Sequence, residues 1–77
     1  MILPISVKTL DDYKLKIKFS TGEEKIYDAK SDIAHGVFRP LNDKNIFASA
    51  RVARGTVVWN DDLDIAPETL YHNSVPV

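Results

Sequence analysis

Over residues 13–19 the chain alternates apolar and charged side chains without a break, Tyr13-Lys14-Leu15-Lys16-Ile17-Lys18-Phe19. A period of two predicts a β-strand with one buried and one wet face, because successive side chains leave a pleated strand on opposite sides. Upstream, Ile5-Ser6-Val7-Lys8-Thr9-Leu10 alternates more weakly, and Asp11-Asp12 between the two runs predicts a hairpin. Downstream, Ser20-Thr21-Gly22-Glu23 reads as a tight turn into Glu24-Lys25-Ile26-Tyr27-Asp28-Ala29, with Gly22 able to take a positive φ. If Thr21-Gly22 is a two-residue loop, Ile17 faces Ile26 and Phe19 faces Glu24. A slip of one residue moves Ile26 to the lysine face, so burial argues for the first register.

From Lys30 onward the clean period is lost. Ser31, Asp32, Gly36 and Pro40 are turn or breaker residues, which predicts an ordered connection with one helical turn over residues 31–34. Asn42 is the expected N-cap of a short helix that brings Ile46 and Phe47 onto its next turn. Arg51-Val52-Ala53-Arg54 and Thr56-Val57-Val58-Trp59 are β-prone and separated by Gly55, giving either a bulged strand or a tight hairpin. An acidic loop over residues 60–64 then leads to Pro67, which suits the first position of a helix, with Glu68 at the positive end of its dipole. Ala66 is a poor cap, so Asp64 is the expected substitute, and residues 73–77 are expected to fray.

These elements sum to a small α+β domain over residues 1–77. An N-terminal three-stranded meander plus a later strand or hairpin makes a mostly antiparallel sheet, with two short helices covering one face. Trp59, Leu70 and Tyr71 read as anchors pinning the last helix to the sheet, because so small a domain has few large side chains for anything else.

Composition narrows the function rather than naming it. A chain of 77 residues buries only about 60% of its unfolded surface, which argues against a deep pocket. It has no cysteine, hence no disulfide, thiolate metal site or thiol nucleophile, and this suits a reducing compartment. The cytoplasm is the expected location, since the start lacks a basic, apolar signal and no window spans a bilayer. Residues 1–30 carry six basic and five acidic groups, 31–54 four and two, and 55–77 none and four. A basic footprint over the whole domain is therefore missing.

Candidate chemistry is sparse. His35 and His72 lie far apart in the chain, with no spacing that places two ligands on one helix face. Asn60, Asp62 and Asp64 follow the opening of a calcium-binding EF-hand loop, but Ile65 stands where the motif needs glycine and Tyr71 where it needs a bidentate glutamate. Ser31, His35 and the aspartates form no recognisable triad. No catalytic residue, metal site or cofactor is expected, and the chain is not expected to be an enzyme. The interaction candidates are Lys14, Lys16 and Lys18 on one strand face, with Lys25 and Tyr27 beside them, then Arg51 and Arg54, and the acidic Asp61 and Asp62.

The order of residues resembles the bacterial family of domains of unknown function numbered 2442, over nearly the whole chain. The resemblance rests on the strand over residues 13–19 followed by Gly22, on Tyr27-Asp28, Phe38-Arg39-Pro40-Leu41 and Phe47, and above all on Val58-Trp59, Asp64-Ile65 and Pro67-Glu68-Thr69-Leu70-Tyr71. It makes Trp59, Asp64, Pro67, Leu70 and Tyr71 a structural signature and implies a compact α+β fold in a bacterial cell, with no catalytic residues to carry over. Some members are similar to the front half of longer proteins that end in a helix-turn-helix. Others are encoded beside a second small protein, in an arrangement like a toxin–antitoxin pair. Those associations imply regulation through protein contacts, and direct DNA binding is not the expectation for these 77 residues. Another protein is the expected partner, with nucleic acid on the lysine face as the alternative, and exposed strand edges predict a homodimer.

Overall fold

The computed structural model describes residues 2–30, 32–33, 36–60 and 63–77, apart from the side chain of Val37. Strands β1 (Pro4–Leu10), β2 (Lys14–Phe19) and β3 (Glu24–Asp28) form an antiparallel meander. A 3₁₀ helix, Gly36–Asn42, and helix α1, Lys44–Phe47, follow. Strands β4 (Arg51–Ala53), β5 (Thr56–Trp59) and β6 (Leu63–Ile65) build a second antiparallel sheet, after which come helix α2 (Pro67–Asn73) and strand β7 (Val75–Pro76). β7 returns to pair with β3, so the first sheet has the order β1-β2-β3-β7. Residues 73–77 are thus not frayed. Val75 pairs with Ile26, Pro76 with Lys25, and the Val77 amide donates to the Glu24 carbonyl at 3.1 Å.

The meander matches the sequence pattern, but its second turn corrects the expected register. The Gly22 amide donates to the Phe19 carbonyl and the Phe19 amide to the Glu23 carbonyl, both at 2.9 Å, with Gly22 at φ 90°. This is a three-residue loop, a turn closed by a left-handed bulge residue, in place of the expected two-residue loop. One extra loop residue shifts the partner strand by one. Ile17 therefore faces Lys25, and Leu15 faces Tyr27. Ile26 takes its place opposite Lys16, on the lysine side.

Two further expectations change, and the choice left open at Gly55 is decided. The N-cap of α1 is Asp43, whose carboxylate accepts from the Asn45 amide at 2.8 Å, while the Asn42 amide group donates to the carbonyls of Ile33 and Arg39. The pair around Gly55 is a tight hairpin, with Ala53 opposite Thr56 and both loop residues, Arg54 and Gly55, at positive φ as in a type I′ turn. The acidic loop leads into a third strand, β6, where Asp64 lies exposed opposite Val58. Asp64 therefore does not cap α2. Ala66 occupies the N-cap without a side-chain hydrogen bond, and Pro67 starts the helix. The expected turn over residues 31–34 falls partly outside the described residues, though the Ala29 carbonyl accepts from the Asp32 and Ile33 amides.

Both sheets and the helices feed one core that includes Leu15, Ile17, Phe19, Tyr27, Trp59 and Leu70. The second sheet shares the covering of the first with the helices, whereas the sequence predicted helices alone; β1 lies against β4 and β5. Trp59, 2% exposed, stacks on Phe47 at 6.4 Å between centroids and meets Phe38 edge-on. Its indole N–H finds no acceptor among the described residues, so its contribution is apolar packing. Among the described residues no helix is long and apolar enough to cross a membrane. The Trp59→Ala variant is expected to lose about 3–5 kcal/mol of folding stability, the range for deleting a buried large aromatic, read as a fall in the urea midpoint. A change below about 1 kcal/mol would exclude this central packing role.

Candidate interaction surface

The register that turns Lys25 and Tyr27 inward arranges the opposite face of the first sheet in rows. Lys16 lies between Lys8 and Ile26, and Ile26 lies beside Val75. Lys18 lies between Ser6 and Glu24, and Lys14 between Leu10 and Asp28. Four lysines, at positions 8, 14, 16 and 18, therefore share one outer face. Lys8 was not singled out from sequence; the weaker alternation of β1 held that signal, since its period carries Lys8 directly opposite Lys16. Like charges facing each other across strands oppose pairing, and an anionic partner relieves that repulsion.

Among the described residues, Lys16 alone of the four forms an ion pair, with Glu24 at 3.4 Å, both side chains being about half exposed. Such a pair contributes only about 0–1 kcal/mol in water. At the turn between β1 and β2, the Lys30 ammonium meets the Asp12 carboxylate. That hydrogen bond holds the Asp12 carboxyl below its ordinary value and the Lys30 ammonium above its own.

Lys25 and Tyr27 are removed from this surface, contrary to the sequence reading. The Lys25 ammonium, on a residue only 8% exposed, sits 3.6 Å above the Tyr71 ring and donates to the Tyr71 carbonyl at 3.1 Å. That places a cation on an aromatic face and ties α2 to β3. The Tyr27 hydroxyl donates to the Asp32 carboxylate, and burial first, then Asp32, pushes its pKa up. Tyr71 packs edge-on against Phe19 at 5.0 Å, and its hydroxyl donates to Glu23 at 2.8 Å, where Thr21 also donates.

The remaining candidates are dispersed. Arg51 and Arg54 belong to the second sheet, at β4 and its turn, and the Arg51 guanidinium donates to the Asn60 side-chain oxygen at 3.2 Å. They do not continue the lysine rows. Asp61, Asp62 and His35 lie outside the described residues. Of the structural signature, Trp59 and Leu70 are buried, Pro67 and Tyr71 half-buried, and Asp64 exposed. An open depression of about 350 Å³ between the first turn and α1 is lined by Asp11, Asp12, Tyr13, Lys44 and Phe47 among others. Its charged groups are the carboxylates of Asp11 and Asp12 and the ammonium of Lys44.

The chain belongs to the family Protein of unknown function (DUF2442), which matches residues 4–76. It is also similar to a solved structure from Nitrosomonas europaea named "Putative DNA Binding Protein", with a TM-score of 0.82 and 25% sequence identity. The match covers 96% of this chain and 49% of that one, so the chain spans about half the length of its relative. No curated protein matches the sequence.

The Tyr71–Glu23 bond makes a pH-dependent brace. The two hydroxyl donors, Tyr71 first, hold the Glu23 carboxyl below its usual 4.5. A carboxyl depressed on folding adds stability above its unfolded value and loses it as pH falls through the folded one. The hydrogen bond to Glu23 also raises the Tyr71 hydroxyl above 10.0, so that contribution is complete below 10.0 and is lost as pH rises through the folded value. Tyr71→Phe is expected to lower stability at neutral pH, with the gap to the native chain closing below pH 4.5. Urea titrations at several pH values measure it, and a gap independent of pH would reject the brace.

Proposed function

We propose that this chain is a protein-interaction and regulatory module of the bacterial cytoplasm that acts by surface complementarity and not as an enzyme. The observation that supports this best is the outer sheet face, where Lys8, Lys14 and Lys18 form no ion pair among the described residues. A small fold that gathers four lysines on one face and engages only one of them in an ion pair has a surface suited to an anionic partner. The proposed partner is a small protein encoded beside it, in the toxin–antitoxin-like arrangement that the family resemblance implies. Self-association of copies is proposed only away from β7, whose Pro76 lacks an amide donor.

The second reading is a nucleic-acid-associated regulator using the same lysines, and the name of the Nitrosomonas europaea relative favours it. Salt separates the two. Duplex binding loses affinity with a logarithmic slope of about −0.9 per phosphate contacted, whereas a packed protein interface responds much less. Lys14→Glu combined with Lys16→Glu and Lys18→Glu is expected to weaken binding of the co-expressed neighbouring protein by more than about tenfold, equivalent to 1.4 kcal/mol, in calorimetry. Unchanged affinity would remove the lysine face from the proposal, and tight, salt-sensitive duplex binding would move it to nucleic acid.

A further inference from the structure

The lysine face has an apolar margin that the sequence alone did not reveal. Val75 is 61% and Val77 76% exposed, two of the three large apolar residues so exposed among the described residues. Val75 pairs with Ile26, half-buried on the lysine side, and the Val77 amide bonds to the carbonyl of Glu24, which pairs with Lys18. Side chains two apart along a strand share a face. Val75 and Val77 therefore flank the rows that hold Lys16 and Lys18. The outer face has a cationic half over β1 and β2, then Ile26 between Glu24 and Asp28 on β3, and an apolar margin at β7.

The two halves set the width of what fits. Neighbouring strands lie about 4.8 Å apart, so β7 is about 10 Å from the lysine column of β2. An added strand meets that requirement poorly, because its side chains point straight up and down and reach one row. The β7 edge also resists strand addition. Alternate residues of β7 point their backbone groups toward β3, which leaves Pro76, without an N–H, as the outward-facing residue. An α-helix with side chains is about 10–12 Å across and presents two flanks at once. Laid along the strands, it brings one flank over the lysines and the other over the valines.

We propose that the outer face of the four-stranded sheet docks an amphipathic helix of a partner protein, with carboxylates on one flank and aliphatic side chains on the other. The inference rests on the lysine face being the binding surface, and it adds the shape and chemistry of the occupant. Charge complementarity selects acidic groups for Lys8, Lys14 and Lys18, while Lys16 is already engaged by Glu24. Val75, Val77 and Ile26 have no use for a phosphate backbone, and Glu24 and Asp28 repel any anion over β3, so the occupant must keep its acidic groups over β1 and β2, which a helix with one acidic flank does and an evenly charged duplex does not. Those groups favour protein over nucleic acid.

The test uses the full isotope-labelled chain in NMR titrations with three probes. They are a synthetic helical peptide with glutamates on one flank and leucines on the other, polyglutamate of equal length, and a mixed-sequence DNA duplex. The helical peptide is expected to shift amide signals of β2, β3 and β7 together and to bind at least about tenfold tighter than polyglutamate. Val75→Thr with Val77→Thr keeps the branched Cβ that strands favour; it is expected to weaken the helical peptide about tenfold and leave polyglutamate unchanged. If circular dichroism shows the pair loosening β7, Val77→Thr alone supplies the same comparison.

Equal affinity for the two peptides, or a duplex that outbinds both, would overturn the helix proposal. Loss of peptide binding on lysine reversal combined with indifference to the valine changes would overturn the helix proposal while keeping the lysine face. Indifference to lysine reversal would overturn both.

Discussion

The turn at Ser20-Thr21-Gly22 governs the rest of the molecule through one hydrogen-bonded closure. Gly22 at φ 90° lets the chain reverse in three residues, with the Phe19 amide and carbonyl both engaged. A strand has a side-chain period of two, so this odd residue determines which half of β3 sees the core. Tyr27 goes in and Ile26 goes out. Lys25 goes in as well, and the fold accommodates a buried ammonium by setting it over the Tyr71 ring and beneath the Tyr71 carbonyl. Stripped of those two contacts, the cation would oppose burial. The register of β3 thus brings α2, and with it β7, to that side of the sheet.

Trp59 has the complementary role on the second sheet. β5 is buried along its whole length, and Thr56 satisfies its hydroxyl by donating to the Ile65 carbonyl of β6. Phe38 and Phe47 bring the 3₁₀ helix and α1 onto the indole, while Tyr13 meets Phe47 edge-on at 5.3 Å and donates to the Asn42 carbonyl at 2.8 Å. The first hairpin and the middle of the chain are joined through these rings. Because aromatic side chains bury the most apolar area per residue, a few of them suffice for a chain of this size.

Once the core is satisfied, the far side of the first sheet is the exposed face on which the lysines gather. Membership of a family of unknown function sets no chemistry for that surface. The Nitrosomonas europaea relative shares the fold over about half its own length, and its name describes the whole of that longer chain. The arrangement here, cations beside aliphatic residues with two carboxylates between them, is a mixed surface. On the proposed reading, such a surface meets a protein partner that offers apolar anchors and charge together, in place of a uniform phosphate array.

Much of the architecture was legible in the residues. The unbroken alternation of β2 announced its two faces, Gly22 marked a reversal, Gly55 left a bulge or a hairpin open, Pro67 marked the start of α2, and Trp59 declared itself as core by size. The family resemblance also came from residue order alone. Those signals are local, carried by side-chain period and backbone preference. What sequence could not supply was any feature set by partners distant in the chain. The burial of Lys25 against Tyr71 and the pairing of β7 with β3 depend on such partners, while the loop length at Gly22 and the third strand of the second sheet turn on which of several local hydrogen-bond closures the core favours. The two exposed valines carry no message until β7 lays them in the rows of Lys16 and Lys18, across β3, because a sheet joins residues by register and not by separation along the chain.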